Sequence, residues 1–572
     1  MPYSPRDHVV NATWEWGLGA AIVWALGKRK GNGKGKKARK AAAPPESISV
    51  SPSEYPCARR DMSVVDDYHG TKVADPYRWL EDPDSEETKQ FVDAQNKLTD
   101  SVLKKCDIRD NFFAELKRLY DYPKYGCPFK EGGRYYYFYN TGLQAQSVLY
   151  TQETLDAEAR VFLDPNQLSE DGTVSLQSAS FSPDGRYMAY SLSASGSDWV
   201  TVRVKLVTDD GTGVDLSEEL KWVKFSCLEW TKDNRGFFYN RFPPPENADL
   251  GTETDSNVNM QLWYHEVNTP QSEDVLCYAI PEHPNWMMGA EVSDDGRYCI
   301  LSIEEGCDPL NRLYYVDLAK LQGKMANFSK SVVKLVDNFD AGYAFVANEG
   351  DEFVFRTNLN APNYKLVRTN LKARAGPWGS TPRGPVWTDL VPEADAVLEQ
   401  VVALAGDHLV LQYLRDVRGV LQLHSLKTGA LVKTFGTGVG AIQTITGKRT
   451  GQEVFYKMVG FVTPGDIFRV DLSGEAKEPV LFRRTQLDGV NADDFIVSQV
   501  FVASKDGTKV PMFVTHAKGL PLDGDNLALI YGYGGFDISL PPSFSAARLI
   551  LLKHLGGVYA QPNLRGGGEY GE

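Results

Sequence analysis

The stretch PDGRYMAYSL, residues Pro183–Leu192, decides the fold because its pattern recurs along the chain. A tight turn that contains a glycine is followed at once by a short apolar or aromatic strand. The pattern occurs at Gly133, Gly185, Gly236, Gly296, Gly350, Gly406 and Gly451, so that successive glycines lie 52, 51, 60, 54, 56 and 45 residues apart. This period is typical of propeller blades and not of helical solenoids.

A second strand pair follows each turn. Its first strand lies, in chain order, in SVLYTQ, TVRVKLVT, QLWYHEV, RLYYVDL, YKLVRTN, LQLHSL and DIFRVDL. Two hairpins per period predict a four-stranded antiparallel blade, and seven periods predict a seven-bladed β-propeller over residues 125–485. A stack of β-sandwiches would also alternate strands and turns, but it would not need so regular a spacing.

The segment before the repeat predicts a helix. In DPDSEETKQFVDAQNKLTDSVLKK, Asp84 stands where a helix cap is expected and Glu87 follows three residues later, as in a capping box. Phe91, Leu98 and Val102 then fall on one face. We therefore expect a helix of about 20 residues that packs on an apolar partner.

The segment after the repeat predicts the start of an α/β sheet. VFVASKDGTKVPMFVTH, residues Val500–His516, reads as a hairpin with Asp506-Gly507 at its turn. Residues Leu527–Phe536 predict a buried strand that ends in the glycine-rich loop YGYGGF, and Gly556–Gly566 resembles a further strand. Loops at the carboxyl ends of such strands are where ligands bind in open α/β sheets.

The composition excludes several classes of protein. The chain of 572 residues has a net charge of −14, and because residues 1–45 are basic, the remainder is more acidic still. Nucleic-acid binding is therefore not expected. Seven cysteines occur singly without a CxxC pair, and the histidines show no metal-ligand spacing. We expect reduced thiols of a cytoplasmic protein, with no metal and no organic cofactor.

The first 55 residues differ from the rest. The apolar run WGLGAAIVWALG, residues 16–27, precedes the basic run KRKGNGKGKKARK, so the charge lies on the wrong side for a signal peptide. We expect a disordered basic extension or a mis-started reading frame. A targeting or membrane-surface segment is the alternative. The apolar run is too short for a membrane span, so no stable membrane insertion is expected.

Several long motifs carry a resemblance to a known family. DYHGTKVADPYRWLEDPDSEETKQFVDAQNK at 67–97, YGYGGF at 531–536, NLRGGGEYGE at 563–572 and blade sequences such as EEGCDPLNRLYYVDL resemble the prolyl oligopeptidase family of serine peptidases. The resemblance runs from about residue 60 to the last residue. It implies a seven-bladed β-propeller inserted in an α/β-hydrolase domain.

The resemblance also implies a division of the chain and an activity. Residues 56–124 would be the N-terminal part of the hydrolase domain, 125–485 the propeller, and 486–572 the start of the catalytic domain. A monomeric enzyme of this kind cleaves short proline-containing peptides on the carboxyl side of proline. The propeller restricts access, so that folded proteins are not attacked.

The nucleophile elbow of such an enzyme is missing from the sequence. The motif G-x-S-x-G does not occur in residues 1–572. In the family it follows the RGGGEYGE segment, so the catalytic Ser, Asp and His are expected outside these residues, and the chain alone is expected to be inactive. His516 and His554 do not match the family's catalytic histidine. We expect an incomplete gene model in preference to a truncated protein that has lost catalysis.

The resemblance also nominates site residues. Tyr533 would donate its hydroxyl to the oxyanion, and Phe536 would line the pocket for the substrate proline. Phe225, Met287 and Cys307 match propeller positions that line the next subsites. Each could instead be a packed core residue. The competing hypothesis for the whole chain is a non-catalytic propeller that binds peptides or proteins.

Overall fold

The computed structural model describes residues 50–244, 257–372, 385–436 and 438–571. The predicted basic extension, residues 1–55, therefore lies almost entirely outside the described residues. Among the described residues, the chain forms two compact units that divide between residues 115 and 116. Within the same residues, no helix is both long and apolar enough to cross a membrane.

The smaller unit contains a hairpin and a helix. The hairpin pairs β1 (Val65–Tyr68) with β2 (Thr71–Ala74), and helix α1 spans Glu86–Leu103. Short 3-10 turns at Pro52–Glu54 and Arg78–Glu81 lie beside them in the sequence. Helix α2, Arg109–Tyr120, begins in this unit and ends in the other.

Helix α1 begins one residue later than the capping-box pattern predicts. Its N-cap is Ser85, whose hydroxyl accepts the backbone N–H of Thr88 at 3.2 Å. The carboxylate of Asp82 accepts the backbone N–H groups of Asp84 and Ser85 at 3.0 and 3.1 Å. Asp84 therefore belongs to the turn before the helix. The predicted apolar face is half-buried: Phe91, Leu98 and Val102.

The larger unit begins with seven antiparallel sheets, counted over the described residues. Six have the predicted four strands, paired in chain order, and the first has five, because two short strands both pair with the third. These are blades 1 to 7 of a β-propeller. Their strands are β3 Lys124–Tyr125, β4 Phe129–Glu131, β5 Arg134–Asn140, β6 Val148–Gln152 and β7 Arg160–Leu163 (blade 1); β8 Ser175–Phe181, β9 Tyr187–Ser193, β10 Val200–Val207 and β11 Gly213–Val223 (blade 2); β12 Leu228–Trp230, β13 Gly236–Arg241, β14 Gln261–Glu266 and β15 Val275–Ala279 (blade 3); β16 Trp286–Val292, β17 Tyr298–Glu305, β18 Asn311–Asp317 and β19 Val333–Val336 (blade 4); β20 Tyr343–Glu349, β21 Glu352–Thr357, β22 Lys365–Asn370 and β23 Thr388–Val391 (blade 5); β24 Val397–Leu404, β25 His408–Arg415, β26 Arg418–Ser425 and β27 Leu431–Phe435 (blade 6); and β28 Ala441–Gly447, β29 Glu453–Gly460, β30 Thr463–Asp471 and β31 Val480–Arg484 (blade 7).

The recurring glycines lie at the first turn of each blade, as the sequence pattern predicts. Gly185, between β8 and β9, has φ of +72°, and a Cβ there would lie 2.3 Å from Cα of Gly132 in blade 1. Glycine is therefore required both for the turn and for the approach of the neighbouring blade. In blade 3, Asn234 takes the left-handed conformation, while Gly236 begins strand β13.

The chain continues into a second kind of sheet. Strands β32 (Phe495–Ala503), β33 (Lys509–Ala517), β34 (Ala528–Ile530) and β35 (Val558–Pro562) lie in the order β32-β33-β35-β34, and β34 runs parallel to β35. The predicted hairpin is confirmed, with Ala503 opposite Lys509. These are the first strands of an α/β-hydrolase sheet.

The prediction of a buried strand over 527–536 is wrong in two respects. The strand ends at Ile530, and the side chain of Ile530 is 68% exposed. The physical reason is its place at the edge of the sheet, where one side has no neighbouring strand among the described residues. The remaining short helices are α3 Leu318–Leu321, α4 Ala546–Leu549, 3-10 turns at 165–167, 271–273, 325–327, 329–331 and 492–494, and a π-helical turn at Ile550–His554.

Candidate active site

The YGYGGF loop follows directly on strand β34. The backbone N–H of Tyr531 continues the sheet by donating to the carbonyl of Ala560 at 2.9 Å, and the chain then leaves it. Tyr533 is 39% exposed, and Phe536 is 83% exposed with φ of +54°. Both side chains are therefore available to a ligand at the carboxyl end of a strand.

The loop is held by the glycine-rich segment at residues 563–571. The backbone N–H of Asp537 donates to the carbonyl of Gly566 at 3.0 Å. A Cβ on Gly534 would lie 2.6 Å from the carbonyl oxygen of Arg565, and one on Gly566 would lie 2.3 Å from that of Gly534. Because only glycine fits at both positions, the two loops fix each other's backbone.

A buried carboxylate fixes the second loop in turn. Glu569 accepts the backbone N–H of Leu540 at 2.9 Å and the side-chain amide of Asn563 at 2.8 Å. The amide of Asn563 also donates to the carbonyl of Leu540 at 2.9 Å. Neither residue could be predicted from the sequence, because nothing local in NLRGGGEYGE distinguishes a buried, hydrogen-bonded carboxylate from a solvated one.

The residues that follow the propeller contact it at the turns between the second and third strands of its blades. Tyr570 donates its hydroxyl to Asp416, between β25 and β26, at 3.0 Å, and Arg418 donates to Gln499 of β32 at 2.8 Å. Burial and the bond to Asp416 raise the pKa of Tyr570, so its hydroxyl stays protonated. In blade 7, the ring of Phe461 lies 5.3 Å from that of Phe513.

The predicted propeller residues lie on this same face. Phe225, with φ of +52°, precedes β12, Met287 lies near the start of β16, and Cys307 follows the end of β17. The start of a first strand and the turn between second and third strands are at the same end of an antiparallel blade. All three residues therefore lie on the propeller face that contacts the hydrolase sheet. The ammonium of Lys224 lies 5.3 Å from the ring centroid of Phe225.

Comparisons with known proteins identify the family of this chain. Residues 56–483 match the family model described as prolyl oligopeptidase, N-terminal beta-propeller domain. The chain belongs to the prolyl oligopeptidase family. It is 37% identical to prolyl oligopeptidase A of Amanita bisporigera, over 92% of this chain and 71% of that protein. It is 35% identical to a prolyl endopeptidase of Elizabethkingia meningoseptica, over 91% of this chain and 69% of that protein.

Comparison with solved structures indicates the same family. Prolyl oligopeptidase B from Galerina marginata, bound to a 35mer hydrolysis and macrocyclization substrate, is 34% identical with a TM-score of 0.82. The match covers 91% of this chain and 73% of that one. The chain is thus a peptidase by family, and the hypothesis of a non-catalytic binding module is not favoured.

Other groups with catalytic potential among the described residues are possible metal ligands, histidines and cysteines. No group of three or more His, Cys, Asp or Glu side chains there could hold a metal ion. His516 is buried in β33, and its Nδ1 atom lies 2.9 Å from the carbonyl oxygen of Ala517. All seven cysteines are free thiols, and Cys307 is exposed.

Proposed function

We propose that this chain forms the propeller and the first part of the hydrolase domain of a serine endopeptidase that cleaves short peptides after proline. The observation that carries the proposal is the glycine-only contact between the YGYGGF loop and residues 563–571, because it fixes the position of Tyr533. The family membership and the names of its relatives support the same activity. The division into 56–124, 125–485 and 486–572 is part of the proposal, as are a monomeric state, a cytoplasmic location and the absence of a cofactor.

Each exposed side chain of the site has a role in this scheme. The hydroxyl of Tyr533 donates a hydrogen bond to the oxyanion that forms as the peptide carbonyl is attacked. Phe536 packs against the ring of the substrate proline. Phe225, Met287 and Cys307 bind the residues that precede the proline.

The nucleophile and the proton-transfer groups come from sequence beyond these 572 residues in this proposal. Expression of the 572-residue chain, and of the same chain extended along its reading frame, tests it. We expect the extended protein to hydrolyse a chromogenic peptide after proline and to react with a fluorophosphonate. We expect neither result from the 572-residue chain, since no activated serine is present. Serine-dependent turnover by the shorter chain would refute the proposal.

Substitution of Tyr533 tests the oxyanion role in the extended protein. Tyr533→Phe removes one donor and keeps the ring, so KM should change little while kcat falls about 10²–10³-fold. Tyr531→Phe, in the same loop, is the matched control and should leave kcat within about threefold of wild type. A Tyr533→Phe enzyme that keeps more than about a third of wild-type kcat would exclude Tyr533 as the donor.

A further inference from the structure

The loop that carries Tyr533 has a strained backbone. Phe536 and Asp537, which follow one another, have φ of +54° and +56°, in the left-handed region that non-glycine residues rarely adopt. Backbone of this kind persists only where surrounding contacts hold it, and it is concentrated at functional sites. A Cβ on Gly535 would lie 3.6 Å from the ring of Tyr533, so the ring rests near this backbone. The position of the Tyr533 hydroxyl therefore depends on the conformation of the loop.

Both backbone polar groups of Leu540, just after the strained residues, are held by buried side chains. Its N–H donates to the carboxylate of Glu569 at 2.9 Å, and its carbonyl accepts the side-chain amides of Asn563 and Gln561, each at 2.9 Å. The N–H of Tyr531, before the strained residues, donates to strand β35. The loop is thus anchored at one end by the sheet and at the other by these side chains.

Glu569 connects this anchor to the glycine-rich segment. One oxygen of its carboxylate, Oε1, accepts both the N–H of Leu540 and, at 2.8 Å, the amide of Asn563, and the residue is 4% exposed. Charged acceptors form stronger hydrogen bonds than neutral ones. Loss of the carboxylate would leave two buried N–H groups without this acceptor, so the loop would lose a contact that fixes it after Asp537.

We propose that Glu569 is a positioning residue, whose carboxylate holds the loop in the conformation that places the Tyr533 hydroxyl for the oxyanion. The proposal rests on the proposed function, because it assigns Glu569 an effect on catalysis through Tyr533. Displacement of a catalytic group by about 1 Å can cost about 10²-fold in rate. Glu569→Ala should therefore slow the chemical step while peptide binding on the propeller face changes little.

A double-mutant cycle in the protein extended along its reading frame tests the assignment. Glu569→Ala should lower kcat about 10–100-fold for a chromogenic peptide cleaved after proline, with KM within about threefold of wild type. In the Tyr533→Phe background the same substitution should lower kcat less than about threefold, because the donor through which it acts is already absent. A residue that only stabilises the fold would lower kcat by the same factor in both backgrounds, and that result would overturn the assignment.

Glu569→Gln is the rescue variant. Its amide oxygen can accept the same two N–H groups, so kcat should stay within about threefold of wild type, and a loss as large as that of Glu569→Ala would overturn the acceptor role. Melting curves establish that the variants are folded. If Glu569→Ala does not fold, Glu569→Asp enters the cycle in its place, because its shorter side chain moves the carboxylate away from both donors.

Asp506→Ala is the matched control. The carboxylate of Asp506 forms an exposed ion pair, 2.8 Å long, with Arg565 of the same glycine-rich segment. Its removal alters a contact of this segment without removing an acceptor of Leu540, whose N–H donates to Glu569. We expect kcat within about twofold of wild type, because exposed ion pairs contribute little. A loss of kcat as large as that of Glu569→Ala would overturn the specific role of Glu569.

Hydrogen exchange in the 572-residue chain separates this assignment from the proposed function, since it requires no catalysis. Mass spectrometry should show faster exchange of the backbone N–H groups of residues 532–540 in Glu569→Ala, and no change in Asp506→Ala. Unchanged exchange in Glu569→Ala would overturn the assignment, while turnover by the extended protein would leave the proposed function intact. Inactivity of the extended wild-type protein would overturn the proposed function together with the role of Glu569 in catalysis.

Discussion

The junction between blades 3 and 4 and the junction between blades 7 and 1 join similar sheets by different means. The first is a large apolar cluster that includes Phe238, Leu301 and Phe328, all fully buried. The second has a small apolar cluster, whose buried members are Cys127, Tyr135, Phe455 and Ile467. A cavity of about 620 Å³ lies beside the smaller cluster.

Polar contacts take the place of apolar packing at the second junction. Lys448 and Glu131 form an ion pair, and the hydroxyl of Thr446 donates to the carbonyl of Pro128 at 2.6 Å. Burial, together with the hydrogen bond that its hydroxyl donates to Glu453, raises the pKa of Tyr135 to about 12. The comparison teaches that one ring can contain junctions of unequal kind, so that substitutions should act differently at each.

The largest difference in stability loss between the two junctions is expected when a large aromatic ring is removed. Phe238→Ala in the first junction should lower the free energy of unfolding by about 3–5 kcal/mol, because the close-packed surroundings cannot fill the space. Phe455→Ala in the second should cost less, about 2–3 kcal/mol, because its surroundings already border a cavity. Urea titrations of the two variants, followed by tryptophan fluorescence, make the comparison. Equal losses would contradict the distinction between the junctions.

Removal of one charge tests the polar nature of the second junction. Lys448→Met leaves Glu131 buried without its cation and should cost about 3 kcal/mol at pH 7. Burial raises the pKa of Glu131 above its unfolded value, and loss of Lys448 raises it further. The folded state then holds the extra proton, so stability should be restored as the pH falls through this raised pKa towards the unfolded value.

The double variant Lys448→Met with Glu131→Gln controls for this effect. It has no ionisable group at position 131, so it should recover most of the lost stability at pH 7 and lose the restoration at low pH. Melting temperatures between pH 5 and pH 8 provide the measurement. A Lys448→Met melt that does not change with pH would show that Glu131 does not carry the effect.

The smallest effect is expected at the hydrogen bond of Thr446. Thr446→Val keeps the shape of the side chain but leaves the carbonyl of Pro128 without this donor, which should cost about 1–2 kcal/mol. Thr446 is buried, and both Thr446 and Pro128 line the cavity beside this junction. Thr444→Val, two residues earlier in β28, is the control and should change the melting temperature little. If neither variant changes the melting temperature, this hydrogen bond does not contribute to closure of the propeller ring.

The sequence predicted the blades well because their signals are local. A glycine at each first turn and alternation in the following strand are set by neighbouring residues, as at Gly185. The prediction of the first residue of helix α1 was wrong, because the carboxylate of Asp82 accepts the N–H groups of Asp84 and Ser85, and Ser85 is the N-cap in place of Asp84. The sequence also failed to predict the exposure of Ile530, because burial of a strand depends on its place in the sheet.

The site could be predicted only in part. Tyr533, Phe536 and the three propeller residues were nominated from the resemblance, and their roles stay predictions. Asn563 and Glu569 were not singled out, because their buried hydrogen bonds to each other and to Leu540 depend on the tertiary fold. The same holds for the contacts between blades 7 and 1, since their partners share no local pattern in the sequence.

The contacts that join the last blade to the first also place the completion of the ring late in protein synthesis. Tyr135 and Glu453 are 318 residues apart, as are Pro128 and Thr446. At roughly 5–20 residues per second, the ribosome adds the second partner about 15–60 s after the first. During that interval the surface of blade 1 around Cys127 has no blade to cover it. Assistance by a chaperone would therefore matter for the nascent chain and not for the finished propeller.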